Sequence, residues 1–177
     1  MALSLYEISI PVFLRGFANL SAILEKGRAF VDEKGIPHSK LLEARLFDDM
    51  LPLTGQIQRA SDAAKLASVR VAQVATVAME DNEASFDELQ ARIAATVKFL
   101  KGVPQEAMDG REEAEVVLPL RSGSLTFTAR DYMLAFAIPN FFFHVTTAYG
   151  ILRHNGVPLG KMDYLNAGGQ SPGRRSA

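Results

Sequence analysis

TARDYMLAFAIPNFFFHVTTAYGILRHNGV, residues 128–157, predicts one long helix whose start and end are both encoded in the sequence. Thr128 and, three residues later, Asp131 form a box-like helix start, and the acidic side chain suits the positive end of the helix dipole. Gly156 before Pro158 is typical of a helix end, because glycine accepts the left-handed closing conformation and proline cannot continue the spiral.

A proline interrupts the middle of this helix. Pro139 has no amide hydrogen, and its ring crowds the carbonyl group of Ala135, so we expect a kink there. Asn140 and His144 follow directly and lie one helical turn apart on the same face. They are the most promising polar pair in the sequence.

Three further helices are predicted upstream. Ser4 with Glu7 is a capping-box signature for the first helix, residues 54–74 show a helical stripe, and Ser85 with Glu88 opens a third helix. Asp48 and Asp49 are expected to cap the second helix, and residues 105–114 form a polar surface loop. Two short apolar runs, residues 116–120 and 125–128, flank a glycine-containing turn and predict a small hairpin.

This order predicts an all-α, antiparallel four-helix bundle with a small β-hairpin before the last helix. We expect one folded domain over residues 1–165 and a disordered C-terminal tail over residues 166–177, which is rich in Gly, Ser and Arg. The chain has 177 residues, of which 48% are hydrophobic and 22% charged, and these are ordinary values for a globular domain.

Composition also limits the classes of function. The net charge of −1 gives no electrostatic footprint for nucleic acid. The absence of cysteine excludes disulfides, thiolate nucleophiles and cysteine-ligated zinc. The N-terminus lacks a signal-peptide pattern, and the most apolar run, residues 132–145, is shorter than the roughly 20 residues that span a bilayer. We expect a cytoplasmic protein without a membrane or nucleic-acid partner.

Candidate site residues each have two readings. His144 is a metal ligand or general base, or else a core histidine bonded to a backbone carbonyl or hydroxyl group. Asn140 supplies a carbonyl oxygen or a donor, or else satisfies backbone groups freed by the Pro139 kink. On the second helix, Gln58 and Asp62 form a paired polar face, or else an ordinary solvated surface, with Gln56 and Arg59 on other faces.

Three consecutive phenylalanines, residues 141–143, cannot all lie on one helix stripe. Core packing accounts for one or two of them, and a homodimer interface would account for the remainder. Tyr149 is close enough in sequence to His144 to line the same region.

The segments SLYEISIPVFLRGFANLSAIL and LPLRSGSLTFTARDYMLAFAIPNFFFHVTTAYGILRHNGVPLGK resemble an uncharacterised bacterial subgroup of the DinB-like (damage-inducible) superfamily of four-helix bundles. The resemblance covers about residues 3–165. It implies homodimers and a divalent metal, zinc or nickel, held by three histidines: one on the second helix and two in an HxxxH on the fourth. Some members are thiol-dependent S-transferases or isomerases.

Placed on this chain, the second histidine of the HxxxH falls on His144, the first on Asn140, and the second-helix histidine near Gln58. Only one of three ligands is retained, so the resemblance favours no metal over a bound zinc or nickel ion. We expect a polar pocket between the second and fourth helices, lined by Asn140, His144, Gln58, Asp62 and Tyr149.

Two functions fit that pocket. In the first, the protein is a diverged small-molecule enzyme, thiol-linked and transferase-like, in which His144 is the catalytic base or a residual metal ligand. In the second, it is a metal-free dimeric binding or interaction module with a vestigial metal site.

Overall fold

Four long helices form the bundle in this computed structural model, which describes residues 3–166 and Gly169. They are α1 (Leu5–Lys34), α3 (Leu53–Ala72), α4 (Phe86–Lys101) and a fourth long helix, Ala129–His154. Two short helices, α2 (His38–Leu42) and α7 (Lys161–Asn166), pack around them. The predicted all-α bundle is confirmed.

The predicted helix starts are made by the expected side chains. Ser4 Oγ accepts a hydrogen bond from the amide of Glu7 at 3.2 Å, and Glu7 Oε2 accepts one from the amide of Ser4 at 3.0 Å. Ser85 caps α4, because its Oγ accepts a hydrogen bond from the amide of Glu88. Thr128 caps the fourth long helix in the same way, through the amide of Asp131. Each bond satisfies a donor that the first helical turn leaves free.

Two local expectations upstream and downstream of α4 are wrong. Asp48 and Asp49 do not cap α3, because that helix begins after Pro52 without any side-chain cap. Residues 105–114 are not entirely a surface loop either. They contain a short 3₁₀ turn, Gln105–Ala107, and Met108 lies fully buried in the core.

Pro139 distorts the fourth long helix without ending it. The helix consists of α5 (Ala129–Asp131), a π-helical segment (Tyr132–Ala137) and α6 (Ile138–His154). The π-helical segment ends two residues before Pro139 and contains Ala135, whose carbonyl group the proline ring would otherwise meet. The wider π-helical turn accommodates the ring, and the kink expected from the sequence stays a prediction.

Phe141 occupies the centre of the core. Its ring meets those of Phe13 and Phe17 edge-on, with ring centroids 5.0 Å apart in both pairs. Gly16 lies beneath the ring, and a Cβ atom at that position would stand 2.5 Å from it. The missing side chain therefore lets α1 and α6 approach closely. Of the other two phenylalanines, Phe142 is half-buried and Phe143 is 57% exposed.

The hairpin and the last short helix pack against the long helices. Strands β1 (Glu115–Leu120) and β2 (Gly123–Thr128) pair in antiparallel register. Helix α7 docks on α1, where Asn19 Nδ2 donates to the carbonyl oxygen of Tyr164 at 2.8 Å. Asn166 ends α7, so the tail predicted for residues 166–177 begins inside a helix. The rest of that tail, except Gly169, lies outside the described residues.

Two of the long helices, Leu5–Lys34 and Ala129–His154, are long and apolar enough to cross a membrane by length and composition alone. Core helices of soluble proteins pass the same test. The apolar segment of residues 132–145 belongs to a helix of 26 residues, which lies within the single helix predicted for residues 128–157. In the bundle, the buried face of each helix packs against the shared core.

Candidate functional site

A cavity of about 210 Å³ lies between α3 and the fourth long helix. Helix α3 contributes Arg59, Asp62, Ala63, Leu66 and Arg70. The fourth long helix contributes Tyr132, Phe136, Ala137, Asn140 and His144, and β1 adds Leu118. Polar groups lie at both ends of the cavity, and apolar groups lie between them.

His144 is held in one orientation by Gln56, a buried residue of α3. The side-chain amide of Gln56 donates from Nε2 to the carbonyl oxygen of Leu51 at 3.0 Å, which identifies Oε1 as the free acceptor. His144 Nδ1 lies 2.8 Å from that Oε1 and must therefore carry the proton. Neutral His144 is left with an unprotonated Nε2, which has no hydrogen-bond partner within residues 3–166.

The surroundings of His144 favour its neutral form. Burial lowers the pKa of the imidazole below its ordinary value of 6.5, and the positive charge of Arg59 lowers the pKa further. Near neutral pH, the cavity therefore holds an imidazole whose Nε2 can accept a hydrogen bond or a proton. A fixed tautomer of this kind is what a general base or a ligand-orienting histidine requires.

Asn140 lies one turn before His144 and is half-buried at the cavity wall. Its side-chain amide makes no hydrogen bond with any other residue in the described part of the chain. The π-helical segment just upstream supplies Tyr132, Phe136 and Ala137 to the same wall. A π-helical segment displaces its side chains from the positions they would take in a regular α-helix, so this segment helps to shape the cavity wall.

Arg70 and Tyr132 meet at the other end of the cavity. Arg70 Nη1 donates to the phenolic oxygen of Tyr132 at 2.9 Å, and its guanidinium carbon lies 5.9 Å from the centre of that ring. Burial raises the pKa of Tyr132, although the nearby Arg70 charge opposes this rise. The phenol therefore stays protonated at neutral pH, and its O–H remains available as a donor.

Asp62 lines the cavity but belongs to a charge network that sequence patterns did not reveal. It lies 3.3 Å from Arg59, 3.1 Å from buried Lys65 and 3.2 Å from buried Arg92. The network continues into the connection between α3 and α4, and its six members carry three positive and three negative charges: Arg59, Lys65 and Arg92 against Asp62, Asp81 and Glu83. These charges balance one another within the network.

Two of the predicted pocket residues lie elsewhere. Gln58 is turned away from the cavity, and its Nε2 donates to Glu83 Oε2 at 2.8 Å. Tyr149 packs edge-on against Tyr164 of α7, with ring centroids 5.8 Å apart. The structure therefore brings together Asn140, His144 and Asp62 but not Gln58 or Tyr149.

The residues that sequence reasoning missed share a helical period. Arg59, Ala63, Leu66 and Arg70 recur at intervals of four, three and four residues, so they form one stripe on α3. Tyr132, Phe136, Asn140 and His144 recur every four residues on the facing helix. The cavity lies where these two stripes face each other. The pair of Gln58 and Asp62 on α3 does not by itself identify this face.

The donor set does not fit a divalent transition metal. The amide of Gln56 faces His144, and the amide of Asn140 lies one helical turn before it. Arg59 adds a positive charge to the same region. One imidazole and two neutral amides offer weak ligation, and the carboxylate of Asp62 is already bound by three cations. Among the described residues, no group of three His, Asp or Glu side chains could hold a metal ion.

These features define an all-α bundle with a polar cavity, poor in metal ligands, between its second and fourth long helices. A family model described as "domain of unknown function (DUF1993)" matches residues 5–165, and the chain belongs to this family. The chain is also similar to the crystal structure of a DinB family member protein from Shewanella denitrificans, with a TM-score of 0.87. Sequence identity is 34%, over 97% of this chain and 96% of that chain.

The resemblance to DinB-like bundles is thereby confirmed for fold and family. No functionally curated protein matches the chain.

Proposed function

We propose that this protein binds a small organic molecule, without a metal, in the cavity between α3 and the fourth long helix. The observation that carries the proposal is the pairing of His144 with Gln56. It fixes the neutral tautomer and leaves Nε2 without a partner among the described residues, beside the Asn140 amide, which has none there either. Polar groups in a partly buried site normally have partners, so two unpaired ones facing a cavity favour a bound ligand.

A second candidate is an enzyme in which His144 is a general base. The same hydrogen bond supports it, because a catalytic histidine is commonly oriented through the nitrogen that does not react. Thiol-linked transfer would need a thiol from the substrate side, since the chain has no cysteine. We place binding first because the described residues that line the cavity include no serine or threonine that could act as a nucleophile next to His144.

We propose further that the protein is a cytoplasmic homodimer. Phe143 is 57% exposed, and Leu46, whose side chain lies against Gly150, is 40% exposed. Phe143 and Gly150 are seven residues apart and therefore share one stripe of α6. An apolar strip of this kind supports a contact between two copies.

The binding proposal is tested by observing the His144 ring and Asn140 amide in NMR spectra. Mixtures of small organic acids, amides and alcohols are added to the wild-type protein and to His144→Gln, with Tyr149→Phe as a control outside the cavity. We expect at least one compound to shift both signals in the wild type and in Tyr149→Phe but to bind His144→Gln more weakly. Shifts confined to other surfaces would contradict the proposal. Turnover of a bound compound, lost in His144→Gln, would favour the enzyme.

A further inference from the structure

The two ends of the cavity differ in charge. At the Arg70 end, the guanidinium group makes its one hydrogen bond among the described residues to the phenol of Tyr132, and none of their carboxylates lies within ion-pairing distance. The residues outside the described range contain no Asp or Glu. A half-buried arginine without an acidic partner is unusual, because buried charges are normally paired.

The other charges that line the cavity do not neutralise Arg70. Asp62 is the acidic side chain at this wall, and three cations of the balanced network already surround it. Arg59 belongs to the same network through Asp62 and Asp81. One positive charge, that of Arg70, is therefore left over at the cavity.

On this basis we propose that the cavity takes an elongated organic carboxylate, whose anionic end binds Arg70 and the O–H of Tyr132. This inference rests on the proposed binding function and names the class of ligand. A guanidinium group matches a carboxylate in shape and charge, and a protonated phenol adds a second donor. Tyr132 already accepts a hydrogen bond from Arg70, so its own proton is free to point towards the anion.

The spacing of the polar groups gives the length of the ligand. Tyr132 and Asn140 are eight residues apart on one helix, which is at most roughly 12 Å at the α-helical rise of about 1.5 Å per residue, because the π-helical segment between them rises less. Between them, Phe136 and Leu66 provide an apolar wall, and the rings of Tyr132 and Phe136 stack with centroids 5.8 Å apart. The body of the ligand is therefore apolar or aromatic.

The far end of the ligand carries a hydrogen-bond donor. His144 presents an unprotonated Nε2, which accepts but does not donate in the neutral tautomer. The Asn140 amide can complement either a donor or an acceptor. A hydroxyl group at the end remote from the carboxylate satisfies both residues.

The test uses one aromatic probe in three charge states: 3-(4-hydroxyphenyl)propanoate, its neutral amide, and the amine tyramine. Binding is measured by calorimetry and by the NMR signals of His144 and Asn140. Arg70→Gln removes the charge, Arg70→Lys keeps it, and Arg130→Gln is a control at an exposed arginine paired with Glu113. We expect the acid to bind about tenfold more tightly than the amide, and tyramine more weakly than either.

The variants separate this inference from the function on which it rests. Arg70→Gln should abolish the preference for the acid without weakening amide binding, whereas Arg70→Lys and Arg130→Gln should keep the preference. Equal binding of acid and amide at the His144 signals would overturn the carboxylate assignment and leave the binding function in place. If none of the three probes shifts the NMR signals of His144 and Asn140 at millimolar concentration, the result contradicts both the carboxylate assignment and the proposed binding function of the cavity.

Discussion

Gln56 Oε1 and His144 Nδ1 lie 2.8 Å apart, and this contact joins α3 to the fourth long helix at the cavity. The amide of Gln56 is itself oriented by the carbonyl oxygen of Leu51, in the segment before α3. A backbone position outside the cavity therefore decides which nitrogen of His144 carries the proton. The chemistry of the cavity depends on this chain of two hydrogen bonds.

Gln56→Glu should raise the pKa of His144. A carboxylate at this position favours the imidazolium form, because it accepts a hydrogen bond from Nδ1 and adds an opposite charge at short range. NMR titration of the histidine ring signals measures the change, with His154 at the exposed end of α6 as an internal reference. Gln105→Glu, at a site far along the chain, should leave the His144 titration as it is in the wild type. An unchanged titration in Gln56→Glu would show that the two side chains are not paired in solution.

Stability should fall as the pH drops below about 6.5, in part because of His144. Its pKa is lowered in the folded protein, mainly by burial and further by Arg59. The unfolded chain therefore takes up the proton first, so the contribution to stability is complete above the unfolded pKa and is lost as the pH falls through the folded pKa. Urea unfolding at a series of pH values should show a shallower decline in His144→Gln than in the wild type. Parallel declines would contradict the shift.

Gly16→Ala should destabilise the fold by about 1–3 kcal/mol, the usual cost of overpacking a core. The new Cβ atom would stand 2.5 Å from the Phe141 ring, which is fully buried between Phe13 and Phe17 and has no room to withdraw. Gly160→Ala is the matched control, because the nearest atom to its Cβ is 3.9 Å away. Denaturant unfolding compares the two variants. Equal stabilities would mean that α1 and α6 do not approach as closely as described.

The arrangement of helices follows from signals that are local in sequence. Ser4, Ser85 and Thr128 each cap the helix that the sequence assigns to them, because a capping bond spans only three residues. Asp48 and Asp49 resemble caps by the same criterion, but Leu53 N bonds to the carbonyl oxygen of Ala44 instead. This backbone hydrogen bond takes the place of a side-chain cap, and a pattern of neighbouring residues does not predict it.

The site was less predictable because it depends on which faces of two helices meet. Asn140 and His144 were identified from their spacing on one helix, and the structure places both at the cavity. Their partners on α3 depend on the rotation of that helix about its own axis. The turn between Gln56 and Gln58 is about 200°, so an alignment off by two residues selects the opposite face. Gln58 accordingly faces the buried Arg92 network rather than His144.

Phe143→Asp should shift the protein from dimer to monomer without unfolding it. The side chain is 57% exposed, so its replacement should change the stability of a single chain by no more than about 0.5 kcal/mol. Light scattering at micromolar concentration measures the mass, with Met162→Asp as a control at an exposed apolar residue of α7. A wild-type protein that is already monomeric would remove the dimer from the proposal.

Zinc and nickel should not bind stoichiometrically to the wild-type protein, and restoring histidines should create such a site. Gln56→His with Asn140→His would place three imidazoles together, since Gln56 already contacts His144 and Asn140 lies one turn from it. Three histidines with an open fourth position are a sufficient ligand set for zinc. Elemental analysis after dialysis against zinc compares the double variant with the wild type and with Gln58→His plus Asn140→His.

The Gln58 variant separates geometry from mere histidine content. Gln58 faces Glu83 on another side of α3, so a histidine there should not join His144 in binding zinc. If only the Gln56→His, Asn140→His variant binds zinc one to one, Gln56 rather than Gln58 faces His144. The cavity requires this rotation of α3 relative to the fourth long helix. Zinc retained by the wild type and lost in His144→Gln would contradict the metal-free proposal, because a single imidazole with two amides would then suffice as a metal site.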